Sequence, residues 1–338
     1  MRLTDAPARL LRRASRALRP RTDEVPAPTP LFEYIAADLV NNCNLRCPFC
    51  LVDYDRVKTT ELMNEATFRA LLRLAPAVPE AGFWLSCLHE PTLHPKLAEY
   101  LAMIPVDQRR KFWFTTNLAR PLPDALIDAI AGSGLHHINV SLDTFDAQLF
   151  AILRKHGRVH VFRNNLERLV ERLAATPDAP ALRYITMAFR SNLHEIPGLV
   201  RWMHESGRAF ETEVRYTFNT GNIAADFRRD QFLGPEDWAV LRLALDELRV
   251  PNCVLVEPPP GYFDQIEPYQ PANWFDTYVP PADNPPPAAV FKAPLKLRAR
   301  ADGRLHLSGE EHVFCVNVST LPDPIQYFQD QVAPPDPH

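Results

Sequence analysis

Cys43, Cys47 and Cys50 fall within eight residues, Cys43-Asn44-Leu45-Arg46-Cys47-Pro48-Phe49-Cys50, at C-x3-C-x2-C spacing. Three thiolates on one tight loop can hold one face of a metal cluster and leave a fourth corner open. Thiolate is the soft ligand that iron–sulfur clusters select, and an open corner is where such a cluster reacts. The competing reading is structural zinc. Zinc takes four protein ligands, usually as two close pairs. Here only His89 and His94, well downstream, offer a fourth.

The trio follows a short apolar run, Phe32 to Val40. Beyond it, strand-like runs over 33–40, 82–87, 111–116, 136–142, 182–189 and 211–218 alternate with helical patterns. The helical patterns cover 64–76, 95–104, 123–132, 146–154, 160–175, 193–206 and 235–248. Strands alternating with helices imply right-handed crossovers and a parallel sheet. Six units predict an α/β fold, a partial (β/α)6 TIM-like barrel over 32–250, with its chemistry at the C-terminal strand ends. The cysteine loop follows the first strand and is therefore in the right place.

Further motifs stand at later strand ends. Leu88-His89-Glu90-Pro91 follows the second, Thr115-Thr116-Asn117-Leu118 the third, and Ser141-Leu142-Asp143 the fourth, before Ile152-Leu153-Arg154-Lys155-His156-Gly157. With the cysteine loop and its aromatic Phe49, these resemble, in order and spacing, the radical S-adenosylmethionine (radical SAM) superfamily over roughly 33–220. The resemblance implies one 4Fe–4S cluster on Cys43, Cys47 and Cys50, with SAM on the open iron. Phe49, Glu90, Asn117, Ser141, Asp143, Arg154 and Met187 are the implied cofactor contacts. Glu90 would face the SAM ammonium, Ser141 and Asp143 the ribose, Arg154 the carboxylate and Met187 the adenine. Leu88-His89 replaces the usual pair of glycines, and Leu118 replaces another. His89 then either touches substrate or fills the space left by glycine. Arg190 and Asn192 are expected at the substrate cavity, together with one of Arg215 and Tyr216.

Composition changes after residue 250. Twelve prolines fall between 251 and 300, and a hairpin signal follows in 295–307 around Asp302-Gly303. Residues 251–338 are expected to form a small proline-rich α+β extension. It resembles a SPASM or twitch domain, but Ser308 stands where a cysteine is usual, and only Cys253 and Cys315 lie downstream of the barrel. Two thiols cannot hold a four-iron cluster by the four-cysteine rule, so no auxiliary cluster is expected. The implied chemistry is reductive cleavage of SAM to a 5′-deoxyadenosyl radical that abstracts hydrogen from substrate. Without an auxiliary electron acceptor, redox-neutral outcomes are favoured: epimerisation, elimination, rearrangement or decarboxylation. Cys315, or else Cys253, is a candidate hydrogen donor, and either can equally be an inert buried thiol.

The expected substrate is a small polar metabolite: a sugar, nucleoside or amino-acid derivative. About 30 residues precede the first strand, too few for a leader-binding domain, which makes a ribosomal peptide the second choice. A non-catalytic SAM- or cluster-binding protein is a third reading. A flavodoxin- or ferredoxin-type electron donor is the expected partner.

The whole chain sets the outer bounds. Its 338 residues are 46% hydrophobic, ample for a large core, and a net charge of −4 gives no reason to expect nucleic acid. No stretch approaches the ~20 apolar residues of a membrane span. Six cysteines without a disulfide-framework pattern, and no secretory signal, point to the cytoplasm. Residues 1–31 read as a leader and proline linker. Seven arginines against one Asp5, interleaved with leucines over 1–21, can form a basic amphipathic helix for weak contact with a membrane or partner. The alternative is a poorly ordered leader.

Overall fold

The computed structural model describes residues 30–86, 88–259, 291–308 and 310–332. The basic leader, the proline-rich stretch 260–290 and Cys87 lie outside them. Ten strands form one mixed sheet: β1 (Phe32–Ala37), β2 (Phe83–Leu85), β3 (Phe112–Thr116), β4 (His137–Ser141), β5 (Ala181–Met187), β6 (Ala209–Arg215), β7 (Cys253–Val256), β8 (Leu295–Ala299), β9 (Arg304–Leu307) and β10 (Glu310–Asn317). Their order is β10-β9-β8-β1-β2-β3-β4-β5-β6-β7. Strands β1 to β7 pair in parallel, and β8 adds to the free side of β1, also in parallel. The β8–β9 and β9–β10 pairs are antiparallel, so β9 alone among the described strands runs against the others. The result is an open partial barrel of α/β type.

The helices are α1 (Glu65–Leu72), α2 (Leu97–Met103), α3 (Asp124–Ala131), α4 (Ala147–Leu153), α5 (Val159–Ala175), α6 (Ile196–Glu205), α7 (Ala225–Gln231), α8 (Pro235–Leu248) and α9 (Pro324–Gln331). Helix α5 shows why they form. Phe162, Leu166, Leu169 and Leu173 recur at helical spacing and are all buried. Each such side chain contributes roughly 1.5–3 kcal/mol of burial. Asn64 caps α1 through the Thr67 N–H, and Asp146 caps α4 through the Leu149 N–H, satisfying donors that have no partner within the helix. Strands β3 and β5 alternate buried and half-buried positions, and the main apolar core runs from Phe32 through Phe83, Phe112 and Phe114 to Tyr184.

The hairpin expected in 295–307 is present as β8 and β9. Its placement was not expected: it extends the barrel sheet directly. Tyr34 donates its hydroxyl to Ser308 Oγ at 2.8 Å, and Phe328 of α9 meets Phe32 edge-on at 5.4 Å. Because β8 runs parallel to β1, its C-terminal end lies on the same side of the sheet as the cysteine loop.

Candidate functional site

The cysteine loop is folded by its own backbone and by one arginine. The Cys50 N–H donates to the Cys47 carbonyl at 3.0 Å. Arg46 donates to the carbonyls of Cys43 and Leu45, both at 2.8 Å, and pairs with Asp55. All three sulfurs receive donors. Cys43 Sγ accepts from the Leu45 N–H and the Asn117 amide, each at 3.4 Å. Cys50 Sγ accepts from the Val52 N–H at 3.4 Å, and the Arg154 guanidinium lies 4.0 Å from Cys47 Sγ. Burial pushes all three thiols above their ordinary range. Desolvated thiols surrounded by donors await a cation that would deprotonate them.

The three thiols share a cavity of about 120 Å³ with Phe49, Glu90, Asn117, Ser141 and Arg154. Among the described residues, no three His, Cys, Asp or Glu side chains converge on a single ion. His94, offered by sequence as a zinc ligand, is buried against the Met63 carbonyl at 2.9 Å and accepts the Lys96 N–H. The donor set therefore suits a cluster, whose thiolates sit on separate metals, better than mononuclear zinc.

Glu90 is 2% exposed, and the chain itself occupies its oxygens. Oε1 accepts from the Thr92 and Thr116 hydroxyls, both at 2.7 Å, and Oε2 accepts the Asn117 N–H at 2.7 Å. Burial raises its pKa, and these hydrogen bonds oppose the rise. Glu90 thereby locks the turn after β3 that aims the Asn117 amide at Cys43 and Asn44. In that turn Leu118 holds φ of 48° at a position where the family resemblance has glycine. The left-handed region is costly for leucine, and complete burial of its side chain offsets the strain.

Ser141 lines the cavity, but Asp143 does not. Strand β4 ends at Ser141, so alternation does not carry on to Asp143, which is wholly buried. It ion-pairs with Arg154 at 2.7 Å and accepts the Met187 N–H at 2.8 Å. Met187 is likewise absent from the cavity wall. The ion pair is imperfectly aligned: Asp143 Oδ2 and Arg154 Nε lack hydrogen-bond partners among the described residues. Phe49 packs on Phe189, with the Arg154 guanidinium 5.3 Å from its ring centroid.

Other expected residues lie elsewhere. Asn192 is fully buried and donates to the Asp143 and Met187 carbonyls, so it supports the wall from behind. Arg190 is half-exposed and lies 3.5 Å from Asp237. Cys253, in β7, packs against the cluster that holds Val214, Trp238 and Leu241 and does not line the cavity. The Cys315 side chain lies outside the described residues.

A network not anticipated from sequence surrounds His89. Its Nδ1 lies 3.0 Å from the Tyr54 hydroxyl, which donates to the Leu88 carbonyl, and Arg298 of β8 lies 3.5 Å from Nε2. Arg298 in turn holds Asp38, just after β1, at 2.9 and 3.0 Å. Asp38 and Arg298 stand 260 residues apart, so no local sequence signal joins them.

Residues 39–202 match the Radical SAM superfamily. They form a radical SAM domain. A GTP 3′,8-cyclase from Chlorobaculum tepidum is 27% identical over 206 residues, covering 60% of this chain and 59% of that protein. A PqqA peptide cyclase from Methylorubrum populi is 28% identical over 201 residues, 58% of this chain and 47% of that protein. The chain thus spans less than two thirds of the length of these relatives. The structure of Streptococcus suis SuiB bound to S-adenosylmethionine matches with TM-score 0.56 at 16% identity, over 96% of this chain and 72% of that one. That likeness shows the fold.

Membership of the radical SAM superfamily implies a 4Fe–4S cluster and S-adenosylmethionine. The residues present fit both. Three buried thiols with donors to their sulfurs suit the cluster, and the cavity-lining Arg154, with its orphaned Nε, suits an anionic cofactor group. Among the described residues, no helix is long and apolar enough to cross a membrane.

Proposed function

We propose that the chain is a radical SAM enzyme acting on a small polar metabolite with a redox-neutral outcome. One observation carries the reading: three sulfurs, each supplied with donors, share one cavity with polar groups from the ends of β2, β3 and β4. Cys43, Cys47 and Cys50 would hold the cluster, and Asn117, Ser141 and Arg154 would hold SAM. Bound there, the pair would supply a carbon-centred radical able to take a hydrogen atom from substrate.

The chain's own residues prepare that site. Glu90 fixes Asn117 so that its amide stays beside Cys43. Asp143 holds Arg154 in the wall and balances its charge where water is excluded. Phe49, Leu153 and Phe189 form an apolar cluster next to Cys47, keeping solvent from a reactive centre. The redox-neutral outcome is supported by the cysteine count, since Cys253 and Cys315 are too few for an auxiliary four-iron cluster. The GTP 3′,8-cyclase relative supports a nucleoside-like or similarly polar substrate. The PqqA peptide cyclase relative favours a peptide as the second reading. Whichever substrate is correct, a flavodoxin or ferredoxin would deliver the electron in the cytoplasm.

The test is anaerobic reconstitution with dithionite and SAM. About four irons per chain and release of 5′-deoxyadenosine are expected. About eight irons would point to oxidative chemistry, and iron without SAM cleavage would defeat the enzymatic reading.

A further inference from the structure

A second, larger cavity of about 460 Å³ lies beside the thiol cavity, and His89 lines both. It is built where β8 meets β1 and the loop after the cysteines. Its size falls within the range of small-ligand sites, roughly 300–1,000 Å³. Its lining is charged, unlike the usual apolar pocket. Arg56, Lys58, Arg298, Arg300 and Arg304 face three carboxylates, Asp38, Asp53 and Glu61.

These charges differ in how firmly they are held. Arg298 and Asp38 form a buried pair whose side chains are 10% and 5% exposed. That pair is structural and fixes the wall shared with His89. The pair of Arg56 with Asp53 is exposed, 67% and 35%, and that of Arg304 with Asp302 is half-open at 30% and 41%. Exposed ion pairs are worth little and exchange readily with solvent ions. Lys58 makes only a long contact, 3.4 Å, to the Asp55 carbonyl. The rim can therefore turn cations toward an incoming anion at small cost.

We propose that this cavity binds the phosphate of a phosphorylated small-molecule substrate, whose remainder passes His89 into the thiol cavity. The lining holds five cations against three carboxylates, and with Asp302, which pairs with Arg304, cations still outnumber carboxylates by one. A lining in which cations outnumber carboxylates suits an anionic group. Guanidinium forks match phosphate oxygens in pairs, and an ammonium adds a point charge. Topology agrees: Arg298 and Arg300 stand at the C-terminal end of a strand parallel to β1, on the side of the cysteine loop. The proposal rests on the radical SAM reading for its claim that the bound anion is substrate.

The experiment titrates the full chain with inorganic pyrophosphate by calorimetry, with succinate as the carboxylate probe. Pyrophosphate is expected to bind and succinate to bind at least about tenfold more weakly. Arg56→Gln and Lys58→Gln, both at exposed positions, should each weaken pyrophosphate binding about three- to tenfold. Arg201→Gln, an exposed cation of α6 outside the cavity, should leave it unchanged. Circular dichroism confirms that each variant is folded. Absence of pyrophosphate binding, equal binding of succinate, or indifference to Arg56 and Lys58 would overturn the proposal. SAM cleavage in the same preparation separates the two readings. Cleavage without pyrophosphate binding removes the anion site alone; binding without cleavage keeps the anion site and removes the radical reading.

Discussion

Arg154 and Asp143 meet at 2.7 Å behind the Cys47 thiol, with side chains 10% and 0% exposed. Removing one partner strands a buried charge, which costs about 3–5 kcal/mol. Asp143→Asn and Arg154→Met should each lose that much stability in urea titrations. The double variant should lose clearly less than the sum, because neither charge is then left alone. Strict additivity would mean that the two do not act as a unit.

Glu90 should resist even its amide. Four donors converge on its two oxygens: the Thr92 N–H and hydroxyl, the Thr116 hydroxyl and the Asn117 N–H. In Glu90→Gln an NH2 group must face a donor, at a cost of about 1–3 kcal/mol. The Asn117 turn should loosen with it, lowering SAM cleavage by about tenfold or more. Unchanged thermal stability would show that the carboxylate is not needed as an acceptor.

Gly157 has no room for a methyl group. A Cβ there would lie 2.8 Å from the Arg154 carbonyl, 2.9 Å from the Phe150 ring and 3.1 Å from Leu45 inside the cysteine loop. Gly157→Ala should cost about 1–3 kcal/mol and reduce the iron retained after reconstitution. Normal iron loading would mean that the loop shifts freely.

His137 makes folding sensitive to acid. Burial pushes it down to about 3 from 6.5, with His136 and Arg183 adding to the effect. Between those values the unfolded chain takes up a proton that the folded chain refuses. Stability from this group is full above about pH 6.5 and is lost as pH falls toward 3. The slope approaches about 1.4 kcal/mol per pH unit. His137→Gln should flatten urea midpoints measured across this range, and an unaltered slope would assign the sensitivity elsewhere.

What could be read from sequence follows the range of the interactions. The cysteine loop was legible because its ligand spacing is local. Strands β1 to β6 and helix α5 were legible because buried faces impose periods of two and 3.6. Strand β7, four residues in a proline-rich region, and helix α7, which buries nothing, carry no such period and were missed. The turn of Asp143 away from the cavity follows from where β4 stops. The grips of Glu90 on Asn117 and of Arg298 on Asp38 depend on strands brought together only by the sheet.

The seating of β1 between β2 and β8 bears on how the chain emerges from the ribosome. The arginine that clasps Asp38 lies 260 residues further along. At about 5–20 residues per second, the strand leading to the cysteines waits roughly 13–50 seconds with one edge bare. The thiol cavity is lined by residues from Cys43 to Arg154, so its walls are synthesised long before β8, whereas the second cavity, walled by Asp38 and Arg298, waits for that strand.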